Sequence, residues 1–97
     1  MPRILKQAQA ELDLLDIWLH SSREWGDEQA DQYLDDLDQA IRLLAEQPLM
    51  CRERPEFCPP VRIHHHAHHL IVYLTVTDGI SVVRVLHESM DVDSHLD

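Results

Sequence analysis

The chain has 97 residues, 18 of them acidic and 8 basic, for a formal net charge of −10 with histidine neutral. That length suits one domain with a real core and is too short for two independent ones. The acidic balance argues against a broad nucleic-acid surface, which needs Lys and Arg gathered on one face, and direct nucleic-acid binding is not expected.

No apolar run is long enough to cross a bilayer, and the N-terminus lacks a basic region followed by an apolar one, so a cytoplasmic protein without membrane contact is expected. Cys51 and Cys58 are too few for a disulfide framework and lack metal-site spacing, which reads as two free thiols.

In chain order, Pro2 to Lys6 is a short apolar piece, with Arg3 to Leu5 expected as an edge strand. From Ala8 the pattern turns helical. Leu12, Leu15, Trp18 or Leu19, and Ser22 recur at three- and four-residue steps, Leu14 and Ile17 widen the stripe, and Glu11, Asp13 and Asp16 are expected to point outward. Gly26 is placed to end this helix and Asp27 to cap the next. In the second helix Ala30, Tyr33, Leu34, Leu37, Ile41 and Leu44 form the apolar face, and Asp31, Asp35, Asp36 and Asp38 the acidic one, until Pro48 stops it. A tight Gly-Asp turn makes the two an antiparallel hairpin. Residues 49–60, with Pro55, Pro59 and Pro60, read as an irregular connection.

The stretch Val61 to His87 reads as three antiparallel strands. Leu70, Val72, Leu74 and Val76 alternate with Ile71, Tyr73 and Thr75. Beyond Asp78-Gly79, a strong hairpin signal, Ile80, Val82, Arg84 and Leu86 alternate with Ser81, Val83, Val85 and His87. Both faces carry apolar side chains, so both need a cover; the helices supply one, and a partner is expected to supply much of the other. An acidic tail follows, with one helical turn around Asp93 to Leu96. The fold class is α+β: a short strand, then a two-helix hairpin packed on an antiparallel sheet of three to four strands.

Two constellations invite chemistry. His64, His65, His66, His68 and His69 suggest a metal, yet no Cys or carboxylate sits within the run and it lacks the fixed spacing of a closed zinc site. No metal or other cofactor is expected. The plainer account is a polar rim that changes charge near neutral pH and could make partner binding pH-sensitive. Arg62, Tyr73, Arg84 and His87 together offer a cation, a hydroxyl and an acid–base group, the chemistry of metal-free RNA cleavage. The alternative is that Arg84 pairs with a nearby acid, Tyr73 packs in the sheet and His87 closes its strand. Asp27, Asp31, Asp35 and Asp38 read as a wet helix face. Trp18 is expected in the core, and Trp25, at the helix end, is the better surface anchor.

Taken together, Trp25-Gly26-Asp27-Glu28-Gln29-Ala30 with Tyr33, Leu37, Leu44 and Pro48, then Val61-Arg62-Ile63, His69-Leu70-Ile71-Val72-Tyr73, Asp78-Gly79-Ile80, and the ending Val83-Arg84-Val85-Leu86-His87-Glu88-Ser89-Met90-Asp91 resemble the ParE toxins of the ParE/RelE superfamily. The resemblance implies the toxin half of a bacterial type II toxin–antitoxin (plasmid stabilisation) pair, a ParD-like antitoxin wrapped around it in a hetero-oligomer, and DNA gyrase as the target. It implies a binding protein, not an enzyme, with Arg84, His87, Met90 and Asp91 meeting the target and Trp25, Tyr33, Leu37, Leu74 and Val76 meeting the antitoxin. RelE-like relatives cut messenger RNA on the ribosome, a role poorly matched to a chain with a single lysine, Lys6. A non-toxic remnant that only binds its antitoxin is the third alternative. Members often carry a basic residue where Leu74 stands, and many are basic overall; this chain departs from both habits.

Overall fold

The computed structural model describes residues 2–96. The chain runs through β1 (Arg3–Lys6), α1 (Ala8–Trp25), α2 (Asp27–Glu46), β2 (Glu53–Arg54), β3 (Val61–His66), β4 (His69–Val76), β5 (Gly79–His87) and α3 (Val92–His95). It is an α+β fold with the α1–α2 hairpin against one face of a five-stranded sheet of order β1-β5-β4-β3-β2. The sheet is larger than expected and not wholly antiparallel. The first strand pairs parallel to β5, with Ile4 opposite Ile80, and β2 adds a short antiparallel edge to β3 inside the proline-rich connection.

Gly26 has φ 90°, a conformation that side chains resist, and this lets α2 fold straight back along α1. Asp27 is already the first residue of α2. It does not cap its own helix but accepts a hydrogen bond from the Ser22 hydroxyl across the turn. The β4–β5 hairpin also sits one residue from the expected position. Val76 pairs with Gly79, so Thr77 and Asp78 make the turn and Asp78 takes the left-handed conformation, with φ 65°. Gly79 is needed for another reason: a Cβ there would lie 1.8 Å from the Arg3 carbonyl oxygen of β1.

Between Val72 and Tyr73 the β4–β5 register slips: Val72 pairs with Arg84 and Tyr73 with Val82, leaving Val83 as the extra residue. The bulge resets the alternation of β5. Ile80, Val82 and Val85 therefore join Ile71 and Tyr73 on the helix side, packed on Leu37, Ile41 and Leu44 of α2 and Ala10 and Ile17 of α1.

Val61, Val72 and Leu86 form a second, smaller core on the far face. That face is not bare, contrary to the expectation of a partner there. Phe57 from the β2–β3 connection and Val92 and Leu96 of the tail close over it, with Ile63, Leu74 and Val83 filling in. Isolated apolar residues in short, polar segments supply this cover, too sparse to form a periodic signal.

The largest departure is in α1. Its buried residues are Ala10, Asp13, Ile17 and Ser21, whereas Leu12, Leu15 and Leu19 are 53 %, 54 % and 39 % exposed. The helix is turned so that the expected core stripe faces out and Asp13, expected outside, faces in. Trp18 is half-buried at the α1–α2 seam, and its indole N–H donates to Asp31 at 2.7 Å.

Candidate functional site

Asp13 explains the orientation of α1. Beyond Val82, β5 loses β1 as a neighbour because the chain turns into α1 there, with the Gln7 N–H donating to the Val82 carbonyl. The next inward-facing donor on that edge, the Val85 N–H, is taken by Asp13 Oδ2 at 2.9 Å. An unpaired buried amide would cost about 1–3 kcal/mol, so a carboxylate on the inner face of α1 has a structural task. The same carboxylate receives Arg84 through Nε at 2.8 Å and Nη2 at 3.0 Å, a two-pronged pairing, while Arg84 Nη1 donates to the His95 carbonyl at 3.2 Å. Arg84 thus ties α1, β5 and α3 together.

Between α1 and the end of β5 lies a recess of about 370 Å³, floored by Ile17 and Val85 and walled by His20, His68, His69, His87, Trp25 and Met90. It adjoins a second recess of about 430 Å³ bounded by Gln29, Tyr33 and Ala67, and the two share Ser21, Trp25 and His68. Trp25, 67 % exposed, stands between them, and Met90, 45 % exposed, marks the far end. The result is one groove with an apolar floor and an imidazole rim.

The histidine run builds that rim through the β3–β4 turn. His66 pairs with His69, so Ala67 and His68 form the turn, and Ala67 has φ 51°. The His68 N–H donates to the Tyr33 hydroxyl at 3.4 Å, which leaves the Tyr33 proton for His69 Nδ1 at 2.6 Å. His69 is therefore neutral and carries its own proton on Nε2. Burial first, and then the His87 and His68 rings, push its pKa down to about 4. Burial likewise raises Tyr33 and lowers His64, the latter helped by His66 and His65. His68 donates to Glu88 at 2.9 Å, and this bond holds the Glu88 carboxyl below its usual range. His87 stacks edge-on to His69 with centroids 5.3 Å apart, and its Nδ1 accepts from the Ser89 N–H at 3.1 Å and hydroxyl at 2.7 Å. Among the described residues, no three His, Cys, Asp or Glu side chains converge in a way that could hold a metal ion.

The four residues considered for RNA cleavage do not form a site. Tyr73 is fully buried, its hydroxyl donates to the Pro48 carbonyl at 3.0 Å, and burial raises its pKa. Arg62, its cross-strand partner, donates to the Cys51 carbonyl. Arg84 is spent on Asp13, and His87 stands alone at the groove. The plainer account holds: Arg84 pairs with an acid, Tyr73 packs, and His87 ends its strand.

The residues expected to meet a target separate in the same way. His87 and Met90 are accessible in the groove. Arg84 is committed to its ion pair, and Asp91 caps α3 by accepting from the Asp93 N–H at 3.1 Å and the Ser94 hydroxyl at 3.0 Å. Of those expected to meet an antitoxin, Trp25 and Tyr33 line the groove, while Leu37 is fully buried and unable to touch a partner. Leu74 lies on the opposite face of the sheet, and Val76 borders a separate recess beside Pro2 and Gly79. Sequence reading missed Asp13 and the exposed Leu12, Leu15 and Leu19. The signal available was a second stripe in α1, Ala10–Asp13–Ile17–Ser21, at the same helical spacing.

Comparison with known proteins agrees with this geometry. Residues 4–92 match the family described as the ParE toxin of type II toxin-antitoxin system, parDE. A Toxin ParE1 of Mycobacterium tuberculosis is 39 % identical, covering 97 % of each chain. A Toxin ParE1 of Caulobacter vibrioides is 35 % identical, covering 97 % of this chain and 95 % of its own. A Toxin ParE of Escherichia coli is 33 % identical, covering 99 % of this chain and 94 % of its own. A solved chromosomal ParDE system from P. aeruginosa superposes with a TM-score of 0.74 at 20 % identity, over 90 % of this chain and 96 % of that one, which speaks to the fold. By family and by architecture, the chain belongs to the ParE toxins of type II toxin–antitoxin systems, which are not enzymes.

Proposed function

We propose that this chain acts in the cytoplasm as a single-domain toxin that inhibits DNA gyrase when free and is neutralised in a complex with a ParD-like antitoxin. The observation that carries the reading is the exposed apolar surface around α1: three outward leucines on one side, and the groove between Trp25 and Met90 on the other. A toxin that acts by binding needs such surfaces and no reacting side chain. The groove is the better seat for the target. Its His87 and Met90 come from the end of the chain, and Trp25 offers a large flat anchor of the kind that dominates interface energies. The net charge of −10 makes contact through a protein surface more favourable than contact through DNA phosphates.

The test is induction without the antitoxin, with gyrase supercoiling and the integrity of translated messages measured side by side. Loss of supercoiling with intact messages is expected. Retained supercoiling with cleaved messages would replace gyrase by RNA as the target, and unimpaired growth would mark a chain that binds its antitoxin without being toxic.

A further inference from the structure

Cys51 and His64 meet outside the groove, and neither lines it. Cys51 Sγ lies 3.7 Å from His64 Nδ1 at the outer margin of the sheet, where β2 pairs only with Val61 and Arg62 of β3. Both residues are half-buried, so each keeps part of its surface in water. The loop that carries Cys51 is held from two directions: the Arg62 guanidinium donates to the Cys51 carbonyl, and the Tyr73 hydroxyl donates to the Pro48 carbonyl at 3.0 Å. Burial first, then His66 and His65, keep His64 below the ordinary imidazole range, so its ring is neutral and has a lone pair to give. Thiol and imidazole are the ligand types that zinc takes in structural sites.

Zinc–sulfur and zinc–nitrogen bonds of about 2.3 Å and 2.0–2.1 Å, set at a tetrahedral angle, place the two ligand atoms about 3.6 Å apart. The two side chains thus already stand at the spacing of one edge of a zinc tetrahedron, and a turn of the imidazole aims its lone pair at the ion. Among the described residues no third His, Cys, Asp or Glu joins them, so one chain cannot close the site. What surrounds the pair suits a second copy. Leu49 and Met50, just before Cys51, are 72 % and 49 % exposed and offer apolar contact. The segment 49–66 sets Arg52, Arg54 and Arg62 against Glu53 and Glu56, without the acidic excess that would drive two copies of a −10 chain apart elsewhere. A two-fold axis brings the same patch of both copies together, and each thiol–imidazole pair then meets its equivalent. We propose that Cys51 and His64 are one half of a zinc site, completed by the same two residues of a second copy into a tetrahedron of two sulfurs and two nitrogens. Both thiols give up their protons on binding, so two thiolates balance the dication and the closed site carries no net charge.

The experiment adds zinc to the untagged, reduced, metal-free full chain and follows mass by sedimentation, with cobalt as a coloured substitute for zinc. Zinc is expected to double the 11.3 kDa mass at about half an equivalent per chain, with one proton released per thiol, and a chelator is expected to restore the monomer. Cobalt is expected to give the strong visible bands of a tetrahedral site and a sulfur-to-metal charge-transfer band. Cys51→Ser is expected to lose the charge-transfer band and the dimer, and His64→Gln the dimer, each with the circular dichroism of the parent. Cys58→Ser changes an exposed thiol outside the pair and is expected to keep both. A zinc dimer that survives Cys51→Ser would assign the metal to the histidine run and overturn the proposal. One zinc per chain with no dimer, or no change on adding zinc, would overturn it as well.

Discussion

α1 and α2 both present apolar residues at helical spacing, yet they use them differently. In α2 one stripe is buried and the opposite side is acidic, so periodicity and packing agree. In α1 the leucine stripe faces solvent, and the helix buries Ala10, Ile17, Ser21 and the carboxylate of Asp13. The small side chain of Ala10 packs into the core against the sheet, and Asp13 meets an edge that an aliphatic residue would leave unsatisfied. A helix with apolar residues on two sides has two tasks, and hydrophobicity alone does not say which side the protein keeps for itself.

Four measurements would break or sharpen this contrast. Leu37→Ala, at the fully buried centre of the α2 stripe, is expected to cost about 4 kcal/mol in urea unfolding. Asp13→Ala should cost about 3 kcal/mol, because it strands both Arg84 and the Val85 amide. Replacing Arg84 with Met as well should recover part of that loss, and a double variant no better than the single one would mean that the amide, not the guanidinium, dominates.

The third measurement concerns pH. The His69 pKa is about 4 when folded against an ordinary 6.5, so between those values the unfolded chain binds the extra proton. Stability should hold above pH 6.5 and fall as pH drops toward 4, and His69→Gln should flatten that fall. The effect should be smaller than either core loss, since the ring keeps part of its surface in water. Leu15→Ala, finally, is expected to change stability by no more than about 0.5 kcal/mol, although Leu and Ala differ by several buried methylenes elsewhere. A cost near that of Leu37→Ala would mean that the leucine stripe is packed within the free protein.

Much of the fold was legible because its signals are local. The α2 stripe, the Gly26 reversal, the Pro48 stop and the alternation through Leu70–Val76 each depend on neighbours in sequence. What escaped depends on meetings between distant segments. The Thr77–Asp78 turn is displaced because Gly79 must admit β1, a strand more than seventy residues earlier. The bulge at Val83 changes which residues of β5 share a face, and Phe57, Val92 and Leu96 reach the far core from segments with no pattern of their own. The groove was half legible: the histidine rim, Trp25 and Tyr33 stand out in the sequence, but their assembly with His87 and Met90 follows from the β3–β4 turn lying over the end of β5. Leu37, which looked like an antitoxin contact, shows that an apolar residue on a periodic stripe belongs first to the core.

The carboxylate that closes β5 also bears on whether copies of the chain can join edge to edge. Past Val82 that strand would otherwise offer a ledge of bare amides and carbonyls, on which another molecule could lay its own strand and begin a fibre. Asp13 blocks the first rung, and the guanidinium braced across it keeps a newcomer's backbone at a distance. The stretch of β5 that β1 leaves open is in this way closed from within the chain.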